Sequence, residues 1–147
     1  MPYWMKHRSD AMVIVRIYLG IGLAVRGALF ASKPDVLLEL IQSTGDWFLP
    51  YLLAHGIAFA HLGGGVLLAI GLLTRVAAAI QMPPVVGAIV LIHFGEGLFV
   101  ASQALELSIL VLVLLSIFAV FGAGRLSVDH RLAASSGEPE TTPGVAA

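Results

Sequence analysis

Residues 104–121, ALELSILVLVLLSIFAVF, decide the fold class, because a run this long and this apolar is typical of a helix that crosses a membrane. The only charged side chain in the run is Glu106. About 20 predominantly apolar residues cross the roughly 30 Å of hydrocarbon in a bilayer. The whole chain is 59% hydrophobic and 12% charged, with a mean hydropathy of +0.96, whereas soluble domains are about half apolar and a quarter charged. We therefore expect an integral membrane protein.

Three further apolar runs predict three more spanning helices, over residues 10–31, 50–73, and 75 to 94 or 99. Asp10 is the expected N-cap of the first helix. Pro83 and Pro84 are expected to kink or split the third. The sequence predicts an all-α, integral membrane four-helix bundle.

Residues 33–50, KPDVLLELIQSTGDWFLP, separate the first and second spans. Apolar and polar side chains are interspersed there, which predicts a short interfacial amphipathic helix with Trp47 and Tyr51 as anchors at the membrane surface. The predicted organisation is a cytoplasmic segment at 1–9, a transmembrane domain at 10–123, and a largely disordered cytoplasmic tail at 124–147.

Basic side chains predict the orientation and the location. One side of the predicted bundle carries Lys6, Arg8, Arg75, Arg125 and Arg131, and the other carries Lys33 alone. Because cytoplasmic loops are enriched in Lys and Arg, we expect both termini in the cytoplasm and the chain in the cytoplasmic (inner) membrane of a bacterium or archaeon.

Charge and cysteine content exclude several classes of function. The net charge of -1 and the absence of a basic stripe argue against a nucleic-acid partner. The chain has no cysteine, so it holds no thiol relay, disulfide, iron–sulfur site or thiolate metal site.

Ionisable side chains within the spans are the candidate functional residues, because they are costly in a bilayer and tend to face the bundle interior. They are Arg16, Arg26, His55, His61, His93, Glu96 and Glu106. His61 is expected near the midplane, about 9 Å deeper than His55 at 1.5 Å per residue. Arg16 is expected in the inner half of the first span. The others are expected to converge near the outer face: Arg26, His55, His93, Glu96 and Glu106.

This outer cluster has three interpretations. The favoured one is structural: Arg26 pairs with Glu106 or Glu96, and the histidines form hydrogen bonds that fix helix register. The second is a quinone pocket, in which a histidine beside a carboxylate binds the head group and carries a proton. Aromatic rings available to stack on a quinone are Phe59, Phe94 and Phe99.

The third interpretation is a metal or haem site, which we consider weaker because a lone histidine more often satisfies local hydrogen bonds. Its ligands would be His55 and His93 for haem, or His93 with Glu96 for a metal.

Small residues and a charged cluster have structural interpretations. Small residues at helix-packing spacing predict close helix approach: Gly20, Ala24, Ala28, Gly63, Gly64, Gly65 and Gly71. Arg75, Arg125 and Asp129, with His130 and Arg131, are expected at the inner surface as an anchor or partner-docking site. There Asp129 is expected to form a salt bridge with Arg75.

Three motifs resemble the DoxX family of small four-helix membrane proteins. The first is "GAGRLSVDHRL", which follows the fourth span. The second is "HLGGGVLLAIGLLTRVAAAI", with Gly64, Gly65, Gly71, Leu72, Thr74 and Arg75 at the matching positions. The third is "HFGEGLF", with His93, Gly97, Leu98 and Phe99, followed by Glu106. The resemblance extends over residues 13–132. One departure is His61, where the family often has a glutamate.

The resemblance implies a four-helix bundle and a link to redox systems, since relatives include the DoxD membrane subunit of thiosulfate:quinone oxidoreductases. We expect an accessory or structural subunit of a membrane redox or electron-transfer complex that contacts quinone and does not catalyse a reaction alone. The alternatives are a DoxD-type quinone-linked oxidoreductase subunit and a small-molecule transporter. Expected partners are the lipid bilayer, other redox subunits and, as an alternative, further copies of this chain.

Overall fold

The computed structural model describes residues 3–46, 48–93, 103–122 and 127–129. For residues 3–10 and His93 it describes the backbone alone. The helices are α1 (Tyr3–Ser32), α2 (Pro34–Ser43), α3 (Pro50–Ile70), α4 (Thr74–Ala88) and α5 (Ala104–Phe121), and a π-helical turn (Ile89–His93) continues α4. No strand occurs among the described residues.

Four segments are long and apolar enough to cross a membrane: Ala11–Ser32, Pro50–Ile70, Thr74–Ile92 and Ala104–Phe121. They confirm the predicted all-α, multi-pass membrane bundle. The expected amphipathic helix between the first two spans is α2, which packs Leu37 and Ile41 against Ala54 of α3.

Two sequence-based expectations about helix geometry are wrong. Asp10 lies inside α1 and is not its N-cap, because α1 begins at Tyr3. No proline or glycine occurs between Tyr3 and Leu19 to end a helix there. The other wrong expectation is a split at the proline pair, since α4 continues through Pro83 and Pro84 and the backbone changes to π-helical geometry only at Ile89. The alternative expectation, a kink at the prolines, stays a prediction.

Glycines hold α1 and α3 together at close range. A Cβ atom added to Gly20 would lie 2.7 Å from both Ala69 Cα and Gly65 O, and one added to Gly27 would lie 2.6 Å from Leu62 Cα. Gly65 in turn faces the backbone of Ala24. Small residues allow such backbone contact between membrane helices, so the expected close approach is confirmed at Gly20, Ala24 and Gly65.

The other small residues divide between two environments. Gly64 faces the side chain of Gln81 on α4. Gly63 faces open space, and Ala28 is exposed. Only part of the small-residue pattern therefore serves helix packing.

The buried core of the bundle lies nearer to one end of the spans than to the other. We call the end that carries the α3–α4 turn the turn end, and the opposite end the α2 end. The buried core contains residues from all four spans and lies toward the turn end: Leu19, Leu23, Leu68, Ala78, Val85, Leu115 and Phe118. A cleft lies between the α1–α3 pair and the α4–α5 pair, since residues of all four helices line it together with residues of α2.

Candidate functional site

The cleft is a cavity with a volume of about 870 Å³. Side chains from α1, α2, α3, α4, the π-helical turn and α5 line it. Pockets that bind small organic molecules have volumes of roughly 300–1,000 Å³ and are mostly apolar with a few polar groups. The cleft matches that description, because its polar lining residues are few: Tyr18, Arg26, Thr44, His61 and Ser108.

His61 presents one ring nitrogen for further bonding. It is 5% exposed, and its Nδ1 lies 3.0 Å from the backbone carbonyl oxygen of Ile57, one turn earlier in α3. Because a carbonyl oxygen only accepts, Nδ1 carries the proton and donates it. Nε2 of the neutral ring therefore keeps a lone pair, with which it accepts a hydrogen bond or a proton.

An aromatic ring lies between His61 and Arg26, the one cationic side chain among the described residues that line the cleft. The Phe30 ring meets the His61 ring edge-on, with centroids 5.9 Å apart and planes at 72°. The guanidinium carbon of Arg26 lies 5.4 Å from the centroid of Phe30, within the range of cation–π attraction. Phe30 thus positions a cationic donor and a neutral acceptor on one side of the cleft.

Three glycines give the cleft its width. Gly22, Gly56 and Gly87 line it, and a Cβ atom added to any of them would meet nothing within 4 Å. Gly22 belongs to α1, Gly56 to α3 and Gly87 to α4. Each of these three helices therefore has one position facing the cleft that carries no side chain. These positions accept larger residues without disturbing helix packing.

His55 lines a different and smaller cavity of about 210 Å³. Its ring is exposed, and its Nδ1 donates to the carbonyl oxygen of Tyr51 at 2.7 Å. Phe30 lines both cavities and separates them. His55 and His61 therefore belong to separate places in the fold.

The described residues that were expected to meet near the outer face lie in different places in the structure. Arg26 joins His61 in the cleft, while His55 lines the other cavity. Glu106 is half-buried in the first turn of α5 and does not line the cleft. The His93 side chain and Glu96 lie outside the described residues, so the predicted pairings with them stay predictions. Phe59 lines the smaller cavity, and Phe94 and Phe99 also fall outside the described ranges.

The turn end is held by Asp129 and Arg75, but not through the salt bridge that the sequence suggested. Asp129 accepts hydrogen bonds from the backbone N–H groups of Leu73 (2.7 Å) and Thr74 (3.0 Å), and its own N–H donates to Gly71 O at 3.0 Å. Arg75 donates from Nη2 to the carbonyl oxygen of Val120 at 2.9 Å. Asp129 and Arg75 each bind a helix end and do not bind one another. This is favourable because the amino terminus of a helix attracts anions and the carboxyl terminus attracts cations.

Arg16 is a buried charged residue at the turn end. It is 2% exposed, and its guanidinium lies against Gly71 and close to Ser127. Asp129 attracts it electrostatically. Gly71 has a φ of 73°, and a Cβ atom there would lie 2.7 Å from Arg16 Cζ, so both the backbone conformation and the contact favour glycine. Arg125, His130 and Arg131, the remaining members of the expected anchor, lie in parts of the chain that the structure does not describe.

Gln81 is a polar residue that the sequence analysis did not select. It is 0% exposed in the middle of α4, and neither of its amide atoms has a hydrogen-bond partner among the described residues. It packs against Gly64, whose Cβ position lies 3.0 Å from Gln81 Cγ. The signal in the sequence is an uncharged polar residue within the apolar run "RVAAAIQMPPVV".

Comparison with known proteins agrees with the fold. No curated protein and no solved structure matches the chain. The family model for DoxX matches residues 11–94, which is more than half of the chain and includes α2, α3, α4 and most of α1. The chain therefore belongs to the DoxX family.

Proposed function

We propose that this DoxX-family protein is an accessory subunit of a membrane redox complex and binds a quinone in the cleft between its two helix pairs. The observation that carries this proposal is the combination of Arg26 and the His61 Nε2 lone pair in an apolar cleft of about 870 Å³ inside the spans. A lipid-soluble ligand reaches such a site from the bilayer.

The chemistry of a quinone suits these side chains. Its head group is a flat ring with two oxygen atoms, which accept hydrogen bonds when oxidised and donate them when reduced. Arg26 supplies N–H donors for an oxygen acceptor, and His61 supplies an acceptor for a hydroxyl hydrogen. Neutral histidine also takes up a proton near neutral pH, which quinone chemistry requires.

The need for a partner follows from the residues of the chain. Transfer of electrons to or from a quinone requires a second redox group. The chain has no cysteine, so it supplies no thiol or iron–sulfur relay. A partner subunit would supply that group, and this chain would hold the quinone.

A cleft-filling variant tests the binding proposal. We expect a purified wild-type protein in lipid nanodiscs to bind a short-chain benzoquinone, measured by titration. Gly56→Leu fills the cleft and should weaken binding by about tenfold or more, equivalent to at least ~1.4 kcal/mol. Gly63→Leu, in the same helix but facing open space away from the cleft, is the matched control and should bind like wild type.

Two results would contradict the binding proposal: no binding by the wild type, or equal weakening in the Gly56 and Gly63 variants. Both variants replace a helical glycine with a better helix former, so loss of binding in only one of them is not explained by unfolding. Purification in mild detergent tests the accessory role separately. Redox subunits should co-purify with the chain, and a chain isolated without partners would contradict that role.

A further inference from the structure

Two consecutive prolines in α4 leave a backbone carbonyl group beside the cleft without a helical hydrogen-bond donor. Pro83 and Pro84 lie inside α4, and both line the cleft together with Ile80. Proline has no backbone N–H, so each proline removes a donor from the helix. For each proline, the carbonyl group that loses its donor belongs to the residue four positions earlier in the helix.

Ile80 is the residue whose carbonyl oxygen loses both of its ordinary helical donors. In an α-helix this oxygen accepts from the residue four positions later, which is Pro84, and in a 3₁₀ turn it accepts from the residue three positions later, which is Pro83. A helical carbonyl points along the helix axis toward the nitrogen four residues ahead, which for Ile80 belongs to Pro84, and both residues line the cleft.

Ala79 differs from Ile80 in the donors available to its carbonyl oxygen and in its position relative to the cleft. Its α-helical donor would be Pro83, but its 3₁₀ donor is Met82, which has an N–H. Ala79 also does not line the cleft. The tandem prolines thus leave one carbonyl beside the cleft without a helical donor, and a single proline would not. A backbone carbonyl without a donor is costly inside a membrane, so a donor in the cleft stabilises this arrangement.

The freed carbonyl and His61 lie at similar depth on opposite helices. His61 is nine residues before the end of α3 and Ile80 is six residues after the start of α4. With a rise of 1.5 Å per residue, Ile80 lies roughly 9 Å and His61 roughly 14 Å from the turn end. Ile80 O and His61 Nε2 are acceptors at this depth, whereas the hydroxyl groups of Tyr18, Thr44 and Ser108 in the lining both donate and accept and so favour neither form of a ligand.

We infer that the cleft selects the reduced form of its ligand, a hydroquinone, by accepting one hydroxyl hydrogen at the Ile80 carbonyl and the other at His61 Nε2. The inference rests on the proposed quinone function. A hydroquinone brings two donors to these two acceptors, whereas a quinone brings only acceptors, for which Arg26 is the one charged donor among the described residues that line the cleft. The preference arises from the backbone of α4 as well as from a side chain.

The two prolines supply a matched pair of variants. Pro84→Ala introduces an N–H that donates to the Ile80 carbonyl and so removes this acceptor from the cleft. Pro83→Ala introduces an N–H that donates to Ala79 and leaves the Ile80 carbonyl free. Both changes remove a proline from a helix interior, where proline is unfavourable, so both variants are expected to fold.

Titration of nanodisc-embedded protein with a short-chain benzoquinone and, anaerobically, with its hydroquinone tests the inference. Wild type and Pro83→Ala should bind the hydroquinone about fivefold or more tightly than the quinone, the ratio expected for one or two net hydrogen bonds. In Pro84→Ala the ratio should fall to within about twofold through weaker hydroquinone binding.

Isotope-edited infrared spectroscopy gives a second readout. With ¹³C-carbonyl isoleucine incorporated, the hydroquinone should shift one carbonyl band in wild type and Pro83→Ala but not in Pro84→Ala. Ile80→Val, expressed with unlabelled valine, should remove that band and so identify it. An unchanged ratio in Pro84→Ala, or an equal loss in both proline variants, would overturn the inference and leave quinone binding in place. Failure of wild type to bind either form would overturn the proposed function together with the inference.

Discussion

The carboxylate of Asp129 caps the amino terminus of α4, accepting a hydrogen bond from the backbone N–H of Thr74 at 3.0 Å. The two residues are separated by 55 positions in the sequence. The residue before Thr74, Leu73, has a left-handed backbone conformation (φ 48°) that is uncommon for a side chain of this size. The second oxygen of Asp129 binds the N–H of Leu73, so one carboxylate stabilises both the helix end and the unusual turn.

Asp129→Ala should therefore destabilise the protein by about 1–2 kcal/mol, the usual cost of losing a helix cap. Asp129→Asn should cost less, because its amide oxygen still accepts one hydrogen bond. Thermal unfolding in detergent measures both. Asp46→Ala is the control, since Asp46 is exposed in the α2–α3 connection; an equal effect of the two alanine variants would contradict the capping role.

A double-mutant cycle should find Asp129 and Arg75 energetically independent. Each binds a different helix end, with Arg75 donating to Val120 O. We expect the destabilisation by Asp129→Ala and Arg75→Met to add within about 0.5 kcal/mol. A coupling energy above about 1 kcal/mol would instead indicate the direct ion pair. Unfolding of the two single variants and the double variant supplies the measurement.

Gly27→Ala should separate α1 from α3. The added methyl group would lie 2.6 Å from Leu62 Cα and 2.8 Å from the carbonyl carbon of His61, both backbone atoms that do not rotate away. A cost of about 1–3 kcal/mol is typical of such overpacking. Gly63→Ala meets nothing within 4 Å and should stabilise α3 by about 0.5–1 kcal/mol. Opposite shifts in melting temperature are the expected result, and shifts of the same sign would exclude this packing.

Gln81→Leu should stabilise the protein. Its amide atoms are buried without a partner among the described residues, and leaving a buried polar group unpaired costs about 1–3 kcal/mol. Leucine fills a similar volume without that cost. Gln42→Leu, on the exposed face of α2, should change stability by less than about 0.5 kcal/mol. A lower melting temperature for the Gln81 variant would mean that its amide has a partner.

The spans were predictable because each depends on local sequence alone. α5 has the predicted bounds, and Gly122 follows it as the sequence suggested. The start of α1 was not predictable from Asp10, because a good capping residue is also tolerated inside a helix. The expected salt bridge between Asp129 and Arg75 is wrong, although it placed the Asp129 segment correctly at the start of α4.

The partners of individual side chains were not predictable, because they depend on how each helix is rotated about its axis. Depth along the spans suggested that Arg26 lies with His55, since both are near the same end. Rotation instead directs His55 into the smaller cavity and His61 into the cleft with Arg26. Asp129 and Arg75 show the same limit, since opposite charges suggested an ion pair while backbone groups at the helix ends were nearer.

The Asp129 contact also has a consequence for the order of assembly during synthesis. The glycine-lined contact between α1 and α3 needs only the chain up to Ala69, so this pair can form while α4 is still being translated. Asp129 leaves the ribosome after all four spans. The Asp129 carboxylate therefore reaches the left-handed turn at Leu73 last. Its hydrogen bonds stabilise the bundle only after all four spanning helices have been inserted.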